Sequence, residues 1–307
     1  MTRYILTGLF LVICLTGLLQ AQESDTLKVK IDSMFVIASS GDFKYRDLVE
    51  PTIDDIAAIG APAVPFMIDR LGTIDARERV TLENILKKIG DPAKPLLITA
   101  LLTADSLKLS RVATMLYYLP DTAAVDNLIK VSDNDYYWAR YNSVRALGKI
   151  GDMRAAETIR KALKDENELV RTMAAVAAGR IDPVEFFDDL INVLDDEYYG
   201  VRFCAEEALS QIECFDKIEL LKVALEKNTA YPGRGHLLTA LISDSCKHDY
   251  ESVRDLLTSP DPMVRSTAMK LAFQADPDKF KSEFAIQVDS TATFIEQQTL
   301  RELLTDR

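Results

Sequence analysis

The sequence has few of the residues that usually build disulfide frameworks and metal sites. Its 307 residues include only two histidines and four cysteines. An odd number of cysteines follows residue 21, and Cys204 and Cys214 lie too far apart along one predicted helix to be bridged. The pair Cys246-x-His248 supplies two of the four ligands that zinc requires, and His236 has no suitable spacing to it. We therefore expect buried, reduced cysteines and no zinc site.

Positive charge is also scarce. The chain has 36 Lys and Arg residues against 48 Asp and Glu residues, a formal net charge of −12. No local basic stripe interrupts this excess, so the phosphates of nucleic acids and of anionic membranes would be repelled. We expect a protein or peptide as partner, and no nucleic acid.

The sequence has a single long apolar segment, and it lies at the N-terminus. Arg3 is followed by apolar residues from Ile5 to Leu19 and by the small residue Ala21. This pattern predicts a signal peptide over residues 1–21 and a periplasmic or secreted protein that does not insert into the membrane after cleavage. A retained anchor and a lipid-modified Cys14 are the alternatives. The segment is shorter than the roughly 20 residues that span a bilayer, and Ile13 is large for a residue beside a lipidated cysteine.

Catalytic motifs are missing as well. Residues 133–135 resemble the start of a calcium loop, but Val144 occupies the position of the required glutamate. His236 lies near Asp244 and Ser245 in sequence without a nucleophile elbow or an oxyanion motif. We expect no catalytic residues, no metal and no cofactor.

The sequence does contain a repeat of about 31 residues, marked by arginines. Six residues before each arginine lies a short polar residue of a type that caps helix N-termini. The polar residue and its arginine are Thr73 and Arg79, Asp105 and Arg111, Asn134 and Arg140, Asp165 and Arg171, Asp196 and Arg202, Asn228 and Arg234, and Ser259 and Arg265.

Apolar residues follow each arginine at helical spacing, and a break such as Ile89-Gly90-Asp91-Pro92 precedes a second apolar segment. Two helices of this length cannot bury their apolar faces alone, so the units must stack. Alanines at plus three from the arginine (Ala174, Ala205, Ala268) are predicted to let adjacent helices approach closely. The eight predicted units are residues 61–90, 91–120, 121–151, 152–181, 182–213, 214–245, 246–276 and 277–307, which together form the domain 61–307.

The preceding residues, 22–60, depart from the repeat. Helical patterns from Thr26 to Ser39 and from Asp42 to Ile59, the second interrupted by Pro51, predict a degenerate helical cap.

The repeat resembles the HEAT family, and in particular the short HEAT-like units of phycobilin lyases. Val170, Arg171, Ala174, Ala177 and Gly179 carry the resemblance best, and residues 134–152 and 196–209 carry it next. It implies an all-α superhelix, or α-α solenoid, of about eight two-helix repeats. It also implies a structural ladder between turn residue and arginine, which includes Asp105 with Arg111, Asp165 with Arg171, and Asp196 with Arg202; the same spacing adds Asn134 with Arg140.

Aromatic residues cluster in the turns before the arginines and just after them. Tyr and Trp favour surfaces that are partly apolar and partly wet, and they dominate binding hot spots. We therefore expect either a partner-binding surface or simple packing of one turn on the next. The candidate residues are Tyr136, Tyr137, Trp138, Tyr141, Tyr198, Tyr199, Phe203 and Tyr231.

The sequence predicts a non-catalytic exported scaffold for protein–protein interaction. A HEAT-like enzyme or chaperone-type lyase is one alternative, and a purely architectural part of an envelope assembly is another.

Overall fold

A computed structural model of the protein describes residues 25–212, 253–259, 261–284 and 293–305. It divides into two compact units, an N-terminal unit (Met1–Ala146) and a C-terminal unit (Leu147–Arg307). The predicted signal peptide and the predicted repeat 214–245, with Tyr231, lie outside the described residues, as do Cys214, Cys246, His236 and His248.

The N-terminal unit is built from helices joined by short 3-10 turns, which include Ala61–Ala63, Asp91–Ala93 and Thr122–Ala124. Its helices are α1 (25–38), α2 (Val49–Ala58), α3 (Val64–Arg70), α4 (Ala76–Ile89), α5 (Lys94–Ala100), α6 (Ser106–Tyr118), α7 (Val125–Val131) and most of α8 (Tyr137–Ile150).

The C-terminal unit continues the same alternation of helices and 3-10 turns (Met153–Ala155, Val193–Asp195, Asp255–Thr258). Its helices are α9 (Ala156–Ala162), α10 (Glu168–Ile181), α11 (Phe187–Asn192), α12 (Tyr199–Ser210), α13 (Pro262–Ala275), α14 (Pro277–Phe284) and α15 (Phe294–Thr305). The described residues of the two units contain helices and turns and no β-strand.

The helices pair as the repeat predicted. A short first helix and a longer second helix fall in each predicted unit from 61–90 to 182–213, and again in 277–307. In unit 246–276 the described part holds the turn Asp255–Thr258 and α13.

Glycine ends several of the second helices, as expected. Gly60, Gly90 and Gly151 have φ angles of 73°, 72° and 74°, a backbone region that side chains with a Cβ atom rarely adopt. Pro62 and Pro92 lie in the first turn of the next 3-10 segment, where no backbone N–H is needed.

The core of the C-terminal unit contains small residues where second helices meet. Ala174 and Ala205 are fully buried, as the plus-three column requires. The helices also approach closely at two glycines, because a Cβ placed on Gly148 or Gly179 would lie 2.6 Å from that of Ala177 or 2.7 Å from that of Ala208. The two helix pairs therefore touch backbone to backbone through glycine at plus eight and alanine at plus six.

The cap packs on the first repeat. Ile31, Phe35 and Ile56 are buried, and the Thr81 hydroxyl of α4 donates to the Ala38 carbonyl of α1 at 3.3 Å. Pro51 does not interrupt a helix, because it lies in the first turn of α2 where its missing N–H is unused.

Candidate functional site

The polar residue six positions before each arginine orders the turn into the second helix. The side chains of Thr73, Asn134, Asp165, Asp196 and Ser259 each accept a hydrogen bond from the amide two residues later, at 2.8 to 3.3 Å. The helix then begins three residues before the arginine in α4, α8, α10, α12 and α13. This geometry points the arginine back toward its own turn.

Four arginines, Arg140, Arg171, Arg202 and Arg265, donate to the backbone carbonyl of the polar residue in their own turn. Nη1 of Arg140 donates to the carbonyls of Asn134 and Asp135 at 3.0 Å each. Nη1 of Arg171 donates to the Asp165 carbonyl at 2.8 Å and more weakly to the next carbonyl. The ladder contact thus satisfies carbonyl groups that precede the helix.

The carboxylate of Asp196 binds the arginine of the preceding repeat. It accepts from Nε of Arg171 at 2.7 Å and from Nη2 at 3.0 Å, a two-point ion pair between nearly buried side chains. Asp196 also accepts from the Tyr198 amide at 2.8 Å, and its carbonyl accepts from Arg202 at 2.6 Å. The sequence paired Asp196 with Arg202 alone, whereas the structure joins one turn to two arginines.

The last repeat replaces the arginine by Glu296, and the structure gives this departure a role. Nε of Arg265 donates to Glu296 at 2.6 Å, and Nη2 donates to it at 3.2 Å. Glu296 also accepts from the amide and the hydroxyl of Thr293, the residue before α15, as the glutamate of a capping box does for the N-cap amide. The Arg265 guanidinium, helped by Thr293, lowers the pKa of the Glu296 carboxyl to about 2.

Among the described residues, Arg79 and Arg111 do not contact the carbonyls of their own turns; Arg79 pairs with Glu83 instead. Helix α6 begins five residues before Arg111, so Asp105 is the N-cap: its side chain accepts from the Lys108 amide and its carbonyl from the Leu109 amide. The predicted Asp105–Arg111 contact is consequently not formed. Nε of Arg111, like Nε of Arg202, is buried and has no hydrogen-bond partner among the residues that the structure describes.

A cavity of about 510 Å³ surrounds Arg111, entirely within the N-terminal unit. Helices α4, α6 and α8 line it, so it belongs to the second helices of three consecutive repeats. We call it the arginine–aromatic cavity. Its lining residues are Arg79, Glu83, Leu107, Ser110, Arg111, Thr114, Tyr118, Tyr136, Trp138, Tyr141, Asn142 and Arg145.

Three of the predicted aromatic residues meet in this cavity. Tyr136, Trp138 and Tyr141 line it, and the rings of Trp138 and Tyr141 are in edge contact at 5.4 Å between centroids. Tyr137 packs on Trp138 at 5.0 Å but is not part of the lining. Trp138 is the only tryptophan in the chain and 37% of its surface is exposed. The turn aromatics thus both pack on each other and face open space.

The predicted aromatics of the C-terminal unit form a separate exposed patch on α12. The rings of Tyr199 and Phe203 stack at 6.0 Å, and the guanidinium of Arg202 lies over Tyr199. Tyr198 is also exposed. A separate cavity at α15 is lined by residues 294–302.

Sequence reasoning missed the chemistry of the cavity because it treated every arginine as scaffold. Arg145 stacks on the Tyr117 ring at 3.8 Å, and Arg79 forms a 3.1 Å ion pair with Glu83. The 29-residue spacing from Arg111 to Arg140, the shortest in the repeat, was the available signal that Arg111 differs.

Polar groups on the cavity wall hold α6 and α8 together. Nδ2 of Asn142 donates to the Ser110 hydroxyl and to the Trp138 carbonyl at 3.0 Å each. Ser110 donates to the same carbonyl at 3.3 Å, and the Thr114 hydroxyl donates to the Ser110 carbonyl. These donors are therefore engaged, whereas Nε of Arg111 is not.

The remaining chemistry of the described residues is sparse. No group of three or more potential metal ligands occurs among them. Burial, followed by the charge of Glu207, raises the pKa of the Cys204 thiol, which disfavours the reactive thiolate form. In the part of the chain that the structure describes, every helix is too short or too polar to cross a bilayer.

A comparison with known protein families gives a match in the central repeats. The family model for HEAT repeats matches residues 125–210. This span begins at α7 and ends with α12, and it includes Arg140, Arg171 and Arg202. The chain therefore contains HEAT repeats, and the prediction of an all-α solenoid of HEAT-like repeats is confirmed.

Solved structures with similar chains have low sequence identity. An engineered protein is 17% identical with a TM-score of 0.46, over 88% of this chain and 87% of its own. Human deoxyhypusine hydroxylase in complex with glycerol is 16% identical with a TM-score of 0.36, over 81% and 96%. The complex of CpcE and CpcF of phycocyanin lyase from Nostoc sp. PCC7120 is 20% identical with a TM-score of 0.40, over 78% and 94%. No curated protein sequence gives a significant match. We infer no activity from these similarities.

Proposed function

We propose that the protein is an exported, non-catalytic HEAT-repeat scaffold that binds a protein or peptide. The arginine–aromatic cavity is the observation that carries this proposal. Concave sites lined by aromatic side chains with a few polar groups are typical of binding sites, and Tyr, Trp and Arg dominate the energetics of protein interfaces.

The chemistry of the lining favours binding over catalysis. The lining contains no histidine or cysteine, and its one carboxylate, Glu83, is engaged by Arg79 at 3.1 Å. A general acid or base needs a group poised to exchange a proton near neutral pH. The lining offers arginines, tyrosines, hydroxyls and an amide, which bind and orient a ligand more readily than they transfer protons.

Export is supported by the sequence of residues 1–21, and exclusion of nucleic acid by the net charge of −12. The first repeats would then present the cavity to a partner outside the cytoplasm. In the architectural alternative, the aromatic turns serve only to pack one repeat on the next. In the enzymatic alternative, loss of the cavity abolishes turnover of a substrate.

Two double variants separate binding at the cavity from nonspecific adhesion to aromatic surface. Trp138→Ser with Tyr141→Ser removes the cavity wall, and Tyr198→Ser with Tyr199→Ser removes an exposed pair on α12. Each immobilised protein, its helix content checked by circular dichroism, is incubated with an envelope extract and crosslinked.

We expect a partner that the parent and the α12 variant retain and that the cavity variant loses. Equal capture by all three proteins would place binding elsewhere. Capture of no specific partner by the parent would favour the architectural alternative.

A further inference from the structure

We infer that the arginine–aromatic cavity recognises the carboxylate of an acidic side chain on an extended peptide, with Arg111 as its anchor. This inference rests on the proposed function and specifies the chemistry of the ligand. It starts from the contrast between the cavity and the rest of the chain. The lining carries three arginines and one glutamate, a net charge of +2, in a protein whose net charge is −12.

The arginines of the cavity differ in whether they have an ion-pair or stacking partner. Arg79 is paired with Glu83, and Arg145 stacks on Tyr117. Arg111 has neither kind of partner among the described residues, and its Nε is buried without a hydrogen bond. Burial, and then repulsion by Arg79, lowers the pKa of Arg111, and the attraction of the Glu83 carboxylate offsets only part of this. An anion bound at Arg111 would supply the missing charge and the missing acceptor.

Nε of Arg171 donates to the carboxylate of Asp196, the turn residue of the following repeat, whereas the turn residue that follows Arg111 is the uncharged Asn134. Nη1 has different partners. The turn carbonyls occupy Nη1 of the arginine at Arg140, Arg171 and Arg202, whereas Nη1 of Arg79 pairs with Glu83. Because α6 begins earlier before Arg111, the Asp105 carbonyl accepts a hydrogen bond from the Leu109 amide of the helix. The guanidinium is thus withdrawn from its usual structural contact and lines open space instead.

A carboxylate fits the guanidinium better than a neutral group does. The planar guanidinium donates two parallel hydrogen bonds to a carboxylate, and both bonds are charge-assisted. The aromatic rings of Trp138 and Tyr141 beside it offer apolar contact to the neighbouring part of the ligand. A polyanion is disfavoured because the acidic surface of the chain would repel charges beyond the cavity.

The position of the cavity favours an internal side chain over a chain terminus. Its lining comes from three consecutive second helices, with Arg111 on the middle one, α6. An extended segment that crosses α4, α6 and α8 would pass over Arg111 and continue on either side. An internal Glu or Asp then reaches the guanidinium, whereas a free C-terminus would have to end inside the cavity.

Trp138 provides the readout, because it is the only tryptophan of the chain and it lines the cavity. Its fluorescence is followed while the full mature protein is titrated with four peptide pools, in which X is any residue except Trp. The pools are acetyl-X-Glu-X-amide, acetyl-X-Gln-X-amide, acetyl-X-X-Gln with a free C-terminal carboxylate, and acetyl-X-phosphoserine-X-amide.

We expect the Glu pool to give a saturable change at a midpoint at least about 10-fold below that of the Gln pool, since a hydrogen bond to a charged group is worth about 10- to 100-fold in affinity. Arg111→Gln should remove this preference. Arg180→Gln, an exposed arginine on α10 outside the cavity, makes the same change in net charge and should keep it.

Each other outcome contradicts a defined part of the reasoning. Equal midpoints for the Glu and Gln pools would overturn the carboxylate inference while leaving peptide binding intact. A lower midpoint for the C-terminal or the phosphoserine pool would assign Arg111 to a chain terminus or a phosphate instead. No response to any pool would overturn both this inference and the proposed binding role of the cavity.

Discussion

Arg171 and Asp196 join two consecutive repeats of the C-terminal unit, and their contribution to stability can be isolated. The side chains are 12% and 10% exposed, and two hydrogen bonds of 2.7 and 3.0 Å link them. Arg171→Met keeps most of the apolar stem and removes the charge. Asp196→Asn keeps an acceptor for the Tyr198 amide and removes the ion pair.

The expected loss follows from the groups left behind. Removing one partner of a buried ion pair costs about 3–5 kcal/mol, and each hydrogen bond to a charged group is worth about 1.5–3 kcal/mol. Because about a tenth of each side chain is exposed and water can reach the remaining partner, we expect about 2–3 kcal/mol for Arg171→Met. The coupling energy between the two substitutions should be about 1.5–2.5 kcal/mol.

Urea unfolding of the parent, the single variants and the double variant measures this coupling, with circular dichroism as the signal. Amide hydrogen exchange assigns the loss to α10 and α12, which matters because repeat proteins need not unfold in one step. Arg154→Met, which removes an exposed contact to Asp152 within one turn, is the control and should leave the midpoint almost unchanged. A coupling below about 0.5 kcal/mol would mean that the pair behaves as an ordinary surface ion pair.

Four further outcomes are expected. Gly179→Ala should destabilise by about 1–3 kcal/mol, because the new Cβ would overlap Ala208; an unchanged urea midpoint would contradict the close helix contact. Ala205→Leu, which overpacks a fully buried position, should cost a similar amount in thermal unfolding. Glu296 has a folded-state pKa of about 2 against an ordinary value of 4.5, so its ionised form should contribute roughly 3 kcal/mol of stability above pH 4.5, which is lost as the pH falls toward 2. In Glu296→Gln the urea midpoint should depend less on pH across that range. An equal pH dependence in the parent and the variant would oppose this. The exported protein should have the mass of a chain that begins at Gln22, and a lipid adduct or an intact Met1 would indicate one of the other leader types.

The repeat was predictable because its signals are local. The glycines with positive φ and the polar residues two positions before each N-cap act within a few residues of themselves, and Gly90 and Asp165 illustrate the two signals. Their spacing alone located the helix pairs from residue 61 to 213.

Contacts between repeats were less accessible from sequence. The partner of the Arg171 guanidinium is 25 residues away, in the next turn, and the pairing implied by the HEAT resemblance put that carboxylate on Arg202. The helix contact at Gly179 and Ala208 depends on the relative rotation of two helices, which periodicity does not specify.

The candidate site was predicted only in part. Tyr136, Trp138 and Tyr141 were identified from their position in the turn, and all three line the cavity. Arg111 was assigned to the ladder because its spacing from Asp105 is the regular six residues. Two extra residues at the start of α6 changed the role of the turn carbonyl, and the six-residue spacing does not record that change; the short 29-residue spacing from Arg111 to Arg140 was the available sign.

The turn at Asp196 has a consequence for how the molecule unfolds. One residue holds its own helix through Tyr198, the preceding repeat through Arg171, and its own arginine through the backbone. Opening either repeat therefore breaks contacts that the other needs. Such nearest-neighbour coupling makes a row of small units unfold as longer cooperative segments. A destabilising substitution in one turn therefore lowers the stability of the repeats on both sides of it.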